Sequence, residues 1–248
     1  MQAIILAAGM GTRLDELTED LPKCMIEVNG VPLIQRMLMQ LEQLGLSRII
    51  VATGFQAQRL EAFIESLKLS TPIVYVENLD YDTTNNIYSL YLAREYLLQD
   101  KTLLLESDLV FEDSLLQSLL DDQNPNLALV AKYEDWMNGA VVTLREGGEI
   151  IEMLHQDKFQ QEHTDRYYKT VNIYKFCPTF SRGHYVPSLE AHCKAFGYGD
   201  YYEQALKPII RTDKSALKAK VLTCGSEWHE VDNACDLARA EALFAETK

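Results

Sequence analysis

An apolar run of strand length, residues 3–7, leads into a turn that carries two glycines and is followed by two cationic side chains. Gly9 and Gly11 allow the backbone to pass close to a bulky ligand, and unpaired backbone N–H groups in such a turn can hold an anion. Arg13 adds a planar fork of donors suited to phosphate oxygens, and Lys23 adds a compact positive charge. Together these residues predict a polyphosphate site at the end of the first strand.

Three alternatives compete with this interpretation of the turn. A dinucleotide fingerprint requires a third glycine where Leu14 stands, so a redox dinucleotide protein is disfavoured. A P-loop requires a Gly-Lys-Ser/Thr string after the glycines, and the sequence has none there. An ordinary glycine turn after a first strand is the third alternative, and two glycines alone would favour it.

Carboxylates occur at two distant points of the sequence. Asp108 follows a largely apolar strand, residues 102–106, and the carboxyl ends of such strands face the ligand crevice of an α/β sheet. If residues 228–232 are extended, Glu230 and Asp232 point to one face. Mg²⁺ prefers a few carboxylates together with phosphate oxygens, so these acids would make a magnesium site if they converge on one strand edge. The alternative is that Asp108 and Asp232 cap the helices that follow them.

Two further sets of polar residues are candidates for ligand binding. Residues 81–90 are rich in donors and acceptors at a predicted helix start, where they could read a base edge or serve only as an N-cap. Later in the chain, lysines could hold phosphoryl oxygens, and aromatic rings with a carboxylate could hold a cation. An exposed strand edge or core packing is the alternative for each of these later candidates. The candidates in this later part of the chain are Lys132, Trp136, Lys169, Asp200, Tyr201 and Tyr202.

Strands and helices alternate through the first half of the chain. The apolar spacing predicts strands at residues 3–7, 48–53, 73–77 and 102–106, and helices at 32–44, 57–67, 85–97 and 114–120. This alternation predicts an α/β fold with a mainly parallel, mixed sheet and helices on both faces. The second half is predicted to hold strands at 128–132, 140–144, 150–154, 171–176 and 218–222, and helices at 189–196, 201–210 and 234–244. We expect a single domain over residues 1–248, with residues 135–199 forming a lid or insertion.

The formal charge of −14 excludes several classes of partner. An acidic surface repels nucleic acid and anionic membranes, so neither is expected as a partner. The sequence has no apolar run long enough to cross a bilayer and no signal-like N-terminus, which favours the cytoplasm. Five cysteines at spacings that do not suit a metal site favour free thiols, and Lys23 is expected to favour the thiolate of its neighbour Cys24.

The string Leu-Ala-Ala-Gly-Met-Gly-Thr-Arg at residues 6–13, followed by Pro-Lys at 22–23, resembles the signature of nucleotidyltransferases that join a nucleoside triphosphate to a sugar phosphate or alcohol phosphate. The resemblance implies a Rossmann-like fold, catalytic roles for Arg13 and Lys23, and Mg²⁺ held by Asp108 and Asp232 with Glu230 nearby. It also implies nucleotide contacts by Leu6, Ala7, Ala8, Gly9, Gly11, Thr12 and Ser107.

The string Asn-Ile-Tyr-Ser-Leu at residues 86–90 is similar to a motif of cytidylyltransferases for choline phosphate and its relatives. This resemblance narrows the expected nucleotide to CTP. Their cytosine pocket implies roles for Asn86 and Ser89, and for Thr53 and Gly54 at a preceding strand end.

Residues 169–176 and 199–203 resemble most closely the cytidylyltransferases that act on 2-aminoethylphosphonate. This resemblance implies transfer of CMP from CTP to that acceptor, with release of pyrophosphate, in phosphonate biosynthesis. Choline phosphate and sugar phosphates remain as alternative acceptors, and a non-catalytic nucleotide sensor is disfavoured because the charged set is present. Proteins of this fold often pair, and the phosphonate enzymes can be fused to a further domain.

Overall fold

The apolar run at the N-terminus forms β1 (Gln2–Leu6), which lies in the middle of the main sheet. The computed structural model describes residues 1–17, 20–155, 158–159, 161–223 and 225–245. The other strands are β2 (Glu27–Val28), β3 (Val31–Pro32), β4 (Ile49–Thr53), β5 (Ile73–Glu77), β6 (Thr102–Glu106), β7 (Leu109–Phe111), β8 (Leu127–Lys132), β9 (Val141–Leu144), β10 (Ile150–Leu154), β11 (Tyr167–Phe176), β12 (Lys218–Val221) and β13 (Trp228–Glu230).

The helices are α1 (Leu33–Glu42), α2 (Ala57–Ser66), α3 (Asn86–Leu92), α4 (Arg94–Leu97), α5 (Asp113–Asp121), α6 (Pro178–Phe180), α7 (Val186–Phe196), α8 (Leu206–Thr212) and α9 (Ala234–Leu243). A π-helical segment, Ser181–Tyr185, joins α6 to α7. None of the helices in the described ranges is long and apolar enough to cross a membrane.

The main sheet is mixed, with a parallel half and an antiparallel half. β1 pairs in parallel with β4 and β6, and β4 pairs in parallel with β5. β11 runs antiparallel to β6 and continues the sheet toward β9 and β10, while β8 pairs with β11 and β12. The predicted α/β fold with a mainly parallel, mixed sheet is therefore confirmed.

Alternate residues of β1 pack into two separate hydrophobic cores. Ala3 and Ile5 contact the core built with α1, α2 and α5, whereas Ile4 and Leu6 contact the core built with α3, α4, α7 and α8. A strand covered on both faces needs apolar side chains at every position, which explains why β1 reads as a continuous apolar run. Both cores leave the carboxyl ends of the parallel strands at one edge of the sheet.

A short two-stranded sheet brings the end of the chain to that edge. β7 follows β6 almost directly and pairs antiparallel with β13, and the N–H of Val231 donates to the carbonyl of Asp108 at 2.9 Å. The side chain of Asn233 caps α9 by accepting hydrogen bonds from the backbone of Cys235 and Asp236. Asp232 is thus left to face the sheet edge rather than to cap the helix.

Local patterns misplaced several element boundaries. The helix predicted at residues 85–97 is divided at Ala93, where φ is −85° and ψ is 0°, although the apolar spacing continues to the buried Leu97. The helix predicted at 201–210 begins instead as a 3₁₀ turn before α8. Residues 135–199 supply β9, β10 and β11 to the main sheet.

The described cysteines are free thiols. They are Cys24, Cys177, Cys193 and Cys235, and Cys224 lies outside the described residues.

Candidate active site

A cavity of about 240 Å³ opens where β1 ends in the glycine turn. Gly11 has a φ of 69°, in the left-handed region that glycine adopts without strain. A Cβ on Gly9 would meet no atom within 4 Å, so this part of the turn leaves its backbone open to a ligand. The turn is anchored behind the cavity, because the N–H of Phe55 donates to the carbonyl of Ala8 at 3.1 Å.

Most of the residues that were predicted to bind the nucleotide or the metal line this cavity. They are Leu6, Ala8, Gly9, Gly11, Thr12, Arg13, Lys23, Asn86, Ser89, Ser107, Asp108 and Asp232. Tyr201, from the predicted acceptor set, lines it as well. The wall is completed by Asn78, Tyr81, Thr84, Asn85 and Glu106.

Ion pairs join the first turn to the two distant acids. The Nζ of Lys23 lies 2.5 Å from Oδ2 of Asp108 and 2.7 Å from Oδ1 of Asp232. The guanidinium of Arg13 lies 2.6 Å from the same oxygen of Asp232, and two thirds of the Arg13 side chain is exposed. The structure therefore brings together residues from three separate parts of the sequence.

The ion pairs shift the pKa values of Lys23 and Asp232. Burial alone would lower the pKa of Lys23, but the charges of Asp108 and Asp232 outweigh it and raise this pKa above its ordinary value. Burial would raise the pKa of Asp232, yet Lys23 and Arg13 hold it below the ordinary aspartate value. Both shifts favour the charged forms of Lys23 and Asp232, so the ion pair between them is stabilised.

Three carboxylates, from Glu106, Asp108 and Glu230, form an acidic cluster whose oxygens lie within 4.8 Å of one another. Burial and the neighbouring acids raise the pKa of Glu106 well above its usual range, and burial raises the pKa of Glu230 to about 7. Oδ1 of Asp108 is buried and has no hydrogen-bond partner. Glu106 is not among the predicted site residues, although it ends β6, the strand that Asp108 follows at the ligand edge of the sheet.

Polar side chains on the opposite wall form a connected network at the start of α3. The amide of Asn78 donates to Thr84 at 3.1 Å and to Ser89 at 3.2 Å, and Asn85 caps the helix. Asn86 accepts a hydrogen bond from the backbone of Tyr202 at 3.1 Å. This network fixes the side chains of Asn86 and Ser89 at the cavity surface.

Three of the predicted nucleotide residues lie behind the wall. Ala7 and Thr53 are buried, and Thr53 donates to Glu61 at 3.2 Å. A Cβ on Gly54 would lie 2.8 Å from the Cβ of Ala8 and 2.9 Å from its carbonyl oxygen. Gly54 therefore allows the second strand end to approach the glycine turn.

The predicted acceptor residues are dispersed. Lys132 and Trp136 line a second cavity of about 650 Å³, in which the ring of Trp136 stacks on His229 at 4.3 Å. Tyr202 is fully buried in the core against Tyr174. The structure does not bring these three residues to the first cavity.

Of the remaining predicted acceptor residues, Lys169 contacts the acidic cluster and Tyr201 lines the first cavity. Lys169 is 1% exposed, donates to the carbonyl of Thr170 at 2.6 Å and lies 3.3 Å from Oε2 of Glu230. Asp200 pairs with His192 at 2.8 Å. The ring of Tyr201 stacks on His155 at 5.0 Å, beside the first cavity.

Lys23 favours the thiolate of Cys24, as expected, but burial outweighs this effect. Cys24 is only 1% exposed, and burial raises the pKa of its thiol to about 12 although the charge of Lys23 lowers it. The thiol is therefore protonated at neutral pH and has no nucleophilic role in the cavity.

The family of MobA-like NTP transferase domains matches residues 3–197, and the chain belongs to that family. Among solved structures, the CTP:phosphocholine cytidylyltransferase of Streptococcus pneumoniae is similar with a TM-score of 0.78 and 23% identity, over 97% of both chains. At this identity the likeness shows the fold, and it agrees with the mixed sheet described above.

Two curated relatives carry names that concern aminoalkylphosphonates. The CMP-5'-(3-aminopropyl)phosphonate synthase of Streptomyces rubellomurinus is 29% identical over 247 residues, which is 99% of this chain and 39% of that protein. The 2-aminoethylphosphonate cytidylyltransferase of Lancefieldella rimae is 40% identical over 111 residues, 45% of this chain and 44% of that protein. The matches thus span less than half the length of either relative.

Proposed function

We propose that the chain is a Mg²⁺-dependent cytidylyltransferase that transfers CMP from CTP to 2-aminoethylphosphonate, forming CMP-2-aminoethylphosphonate and releasing pyrophosphate. The observation that carries the proposal is the meeting of Arg13, Lys23, Asp108 and Asp232 beside an open glycine turn in one cavity. The names of the two curated relatives support the choice of CTP and of an aminoalkylphosphonate acceptor.

The triphosphate occupies the glycine turn. Ala8 and Gly9 approach the nucleoside, and the guanidinium of Arg13 and the ammonium of Lys23 exchange their carboxylate partners for the β- and γ-phosphate oxygens. The cytidine lies against the start of α3, where Asn86 and Ser89 present donors and acceptors to the base. Arg13 is mostly exposed, so it can move to the phosphates at little cost.

Asp108 and Asp232 are the residues that would hold Mg²⁺. The two residues are buried, and Oδ1 of Asp108 has no hydrogen-bond partner, so the donor set fits a hard cation that prefers oxygen ligands. A bound Mg²⁺ supplies charge neutralisation at the α-phosphate. Glu230 lies beside this pair, in the acidic cluster.

The acceptor oxygen attacks the α-phosphorus in line, a new P–O bond forms, and the bond to the pyrophosphate oxygen breaks on the opposite side. That acceptor oxygen is already ionised near neutral pH, so no general base is required. Lys169 and Tyr201 are the predicted acceptor residues nearest to this position. Positioning and charge neutralisation of two anions then supply the rate enhancement.

Pyrophosphate release tests the proposal directly. The purified chain is incubated with Mg²⁺ and CTP, UTP, ATP or dTTP, each with 2-aminoethylphosphonate, phosphocholine or glucose 1-phosphate. We expect CTP with 2-aminoethylphosphonate to give the highest kcat/KM, and Asp108→Asn to lower it about 100-fold or more. A preference for phosphocholine or for a sugar phosphate would move the chain to a different acceptor, and release without any acceptor preference would contradict the proposal.

A further inference from the structure

The side-chain amide of Asn78 is held in one orientation by its hydrogen bonds. Asn78 directly follows β5 and is 2% exposed. The N–H of Asp80 donates to its Oδ1 at 3.0 Å. Its Nδ2 therefore faces the other way, where it donates to Thr84 at 3.1 Å and to Ser89 at 3.2 Å. Each of these two hydroxyls accepts from a nitrogen that cannot itself act as an acceptor.

The two hydroxyls differ in the use of their own hydrogen. Thr84 donates to the carbonyl of Asp80 at 2.6 Å, so its hydrogen is taken up within the turn. Ser89 lines the first cavity, and no hydrogen bond in the described part of the chain uses its hydroxyl hydrogen. Because Ser89 turns a lone pair to Asn78, its hydrogen is left for a bound base.

Asn86 adds a second donor beside Ser89. The backbone N–H of Tyr202 donates to Oδ1 of Asn86 at 3.1 Å, which turns Nδ2 of Asn86 toward Glu106 on the cavity wall. The contact between Nδ2 and Glu106 is long, 3.4 Å, so the amide keeps donor capacity for a ligand. Both side chains therefore offer hydrogens to the cavity.

We propose that Asn78 is a positioning residue: by donating to Ser89, it reserves the hydroxyl hydrogen of Ser89 for the base and thereby selects cytosine over uracil. The inference rests on the proposed function and names a residue that sets its nucleotide specificity. Cytosine presents two adjacent acceptors, N3 and O2, to a pair of donors, whereas uracil carries an N–H at its N3. A fixed donor facing that N–H would lose its partner on binding, and such a loss is strongly disfavoured in a buried site.

Comparing CTP with UTP tests this assignment. With saturating 2-aminoethylphosphonate and Mg²⁺, kcat/KM for each nucleotide is measured from pyrophosphate release, and wild type is expected to favour CTP about 100-fold or more. Asn78→Asp keeps the shape of the side chain and the acceptor for Asp80, but its carboxylate only accepts, so Ser89 turns its hydrogen away from the base. The preference for CTP is expected to fall about 10-fold, through a higher KM for CTP rather than a lower kcat.

The charge that Asn78→Asp introduces is separated from this effect by the ratio of the two nucleotides. The N–H of Asp80 and two hydroxyls surround the new carboxylate and keep it ionised. Its repulsion of the triphosphate would lower kcat/KM for CTP and UTP by the same factor and leave their ratio unchanged. Asn78→Ala removes the amide without adding charge and should lower the ratio in the same direction. It decides the matter if circular dichroism shows that Asn78→Asp does not fold.

Ser89→Ala shows whether Asn78 acts through the hydroxyl. Ser89→Ala alone should lower the preference for CTP about 10-fold, and adding Asn78→Asp should lower it no further, since the group that Asn78 positions is already gone.

Asn126→Asp is the matched control. The amide of Asn126 likewise accepts from a backbone N–H, that of Cys177 at 2.9 Å, and donates from its Nδ2, to the carbonyl of Ala216 at 3.0 Å. Asn126 does not line the first cavity, so its substitution should leave the ratio of CTP to UTP unchanged.

The outcomes separate this inference from the proposed function. An unchanged ratio in a folded Asn78 or Ser89 variant, or an equal loss for CTP and UTP, would overturn the positioning role while leaving cytidylyl transfer intact. A further fall of the ratio in the double variant would show that Asn78 does not act through Ser89 and would overturn it as well. Equal use of CTP and UTP by wild type, or preference for another nucleotide, would overturn the proposed function and this inference with it.

Discussion

The residues predicted for the nucleotide and metal and those predicted for the acceptor belong to different kinds of strand. The first set follows β1, β4 and β6, which run parallel and end at one edge of the sheet. In the second set, Lys132 ends β8 and Lys169 lies on β11, and these two strands run antiparallel to each other. Predicted residues of the first set meet at the cavity, whereas those of the second set are divided among two cavities, the core and the surface.

The difference follows from sheet geometry. In a parallel array, a residue that comes just after a strand lies at the same edge as every other such residue, so position along the chain predicts position in space. In an antiparallel array, strand starts and strand ends alternate at that edge. Lys169 illustrates the point, because it lies near the beginning of β11 and yet contacts Glu230 at the edge where the parallel strands end.

Removing Lys23 is expected to have the largest effect on the nucleotide side. Lys23→Ala should lower the rate of pyrophosphate release about 100- to 1,000-fold, because it removes a charge that neutralises the leaving group, takes the ion-pair partner of Asp108 away and leaves Asp232 paired with Arg13 alone. Steady-state rates with CTP and 2-aminoethylphosphonate measure the loss, and circular dichroism checks that the chain remains folded.

Lys220→Ala is the matched control for this variant. Lys220 pairs with Asp122 at 3.0 Å, away from the cavity, so its removal should change the rate less than about 2-fold. Near-normal turnover of Lys23→Ala would remove that lysine from the chemistry and would weaken the view that the parallel side carries it.

Local signals predict the parallel half of the fold and the position of Asp108 after a strand, whereas the meeting of Lys23 and Asp108 with Asp232 is implied only by the family resemblance. A buried apolar run, a glycine turn and a carboxylate after a strand each have a physical meaning that does not depend on distant parts of the chain. A shared face for Glu230 and Asp232 was predicted on the condition that residues 228–232 are extended, and β13 ends at Glu230.

What the sequence could not supply depends on contacts between distant segments. The pairing of β7 with β13 sets where Asp232 lies, and neither three-residue strand has a pattern of its own. Tyr202 and Tyr201 are adjacent in a polar segment, yet one is buried in the core and the other lines the cavity. Only the packing of the surrounding helices distinguishes such neighbours.

Two glycines on the nucleotide side are expected to respond differently to the same substitution. Gly54→Ala should lower the free energy of unfolding by about 1–3 kcal/mol, because its Cβ would overlap the backbone and side chain of Ala8. The new methyl group of Gly9→Ala would meet no protein atom within 4 Å, so the free energy of unfolding should stay nearly unchanged. The same methyl group would occupy part of the proposed triphosphate site and should raise the KM for CTP. Urea denaturation and CTP titrations separate the two effects. If Gly9→Ala bound CTP normally, the turn would not be the triphosphate site.

The smallest expected effect distinguishes the two cavities on the acceptor side. Tyr201 presents its ring to the first cavity, so Tyr201→Ala should raise the KM for 2-aminoethylphosphonate about 5- to 10-fold with little change in the KM for CTP. Trp136 packs in the second cavity against His229 and Trp228, so Trp136→Ala should leave both KM values near those of wild type and lower only the melting temperature. The reverse result would place the acceptor in the second cavity. It would also mean that the side chains of the antiparallel half converge on a site after all, at a distance from the carboxyl ends of the parallel strands.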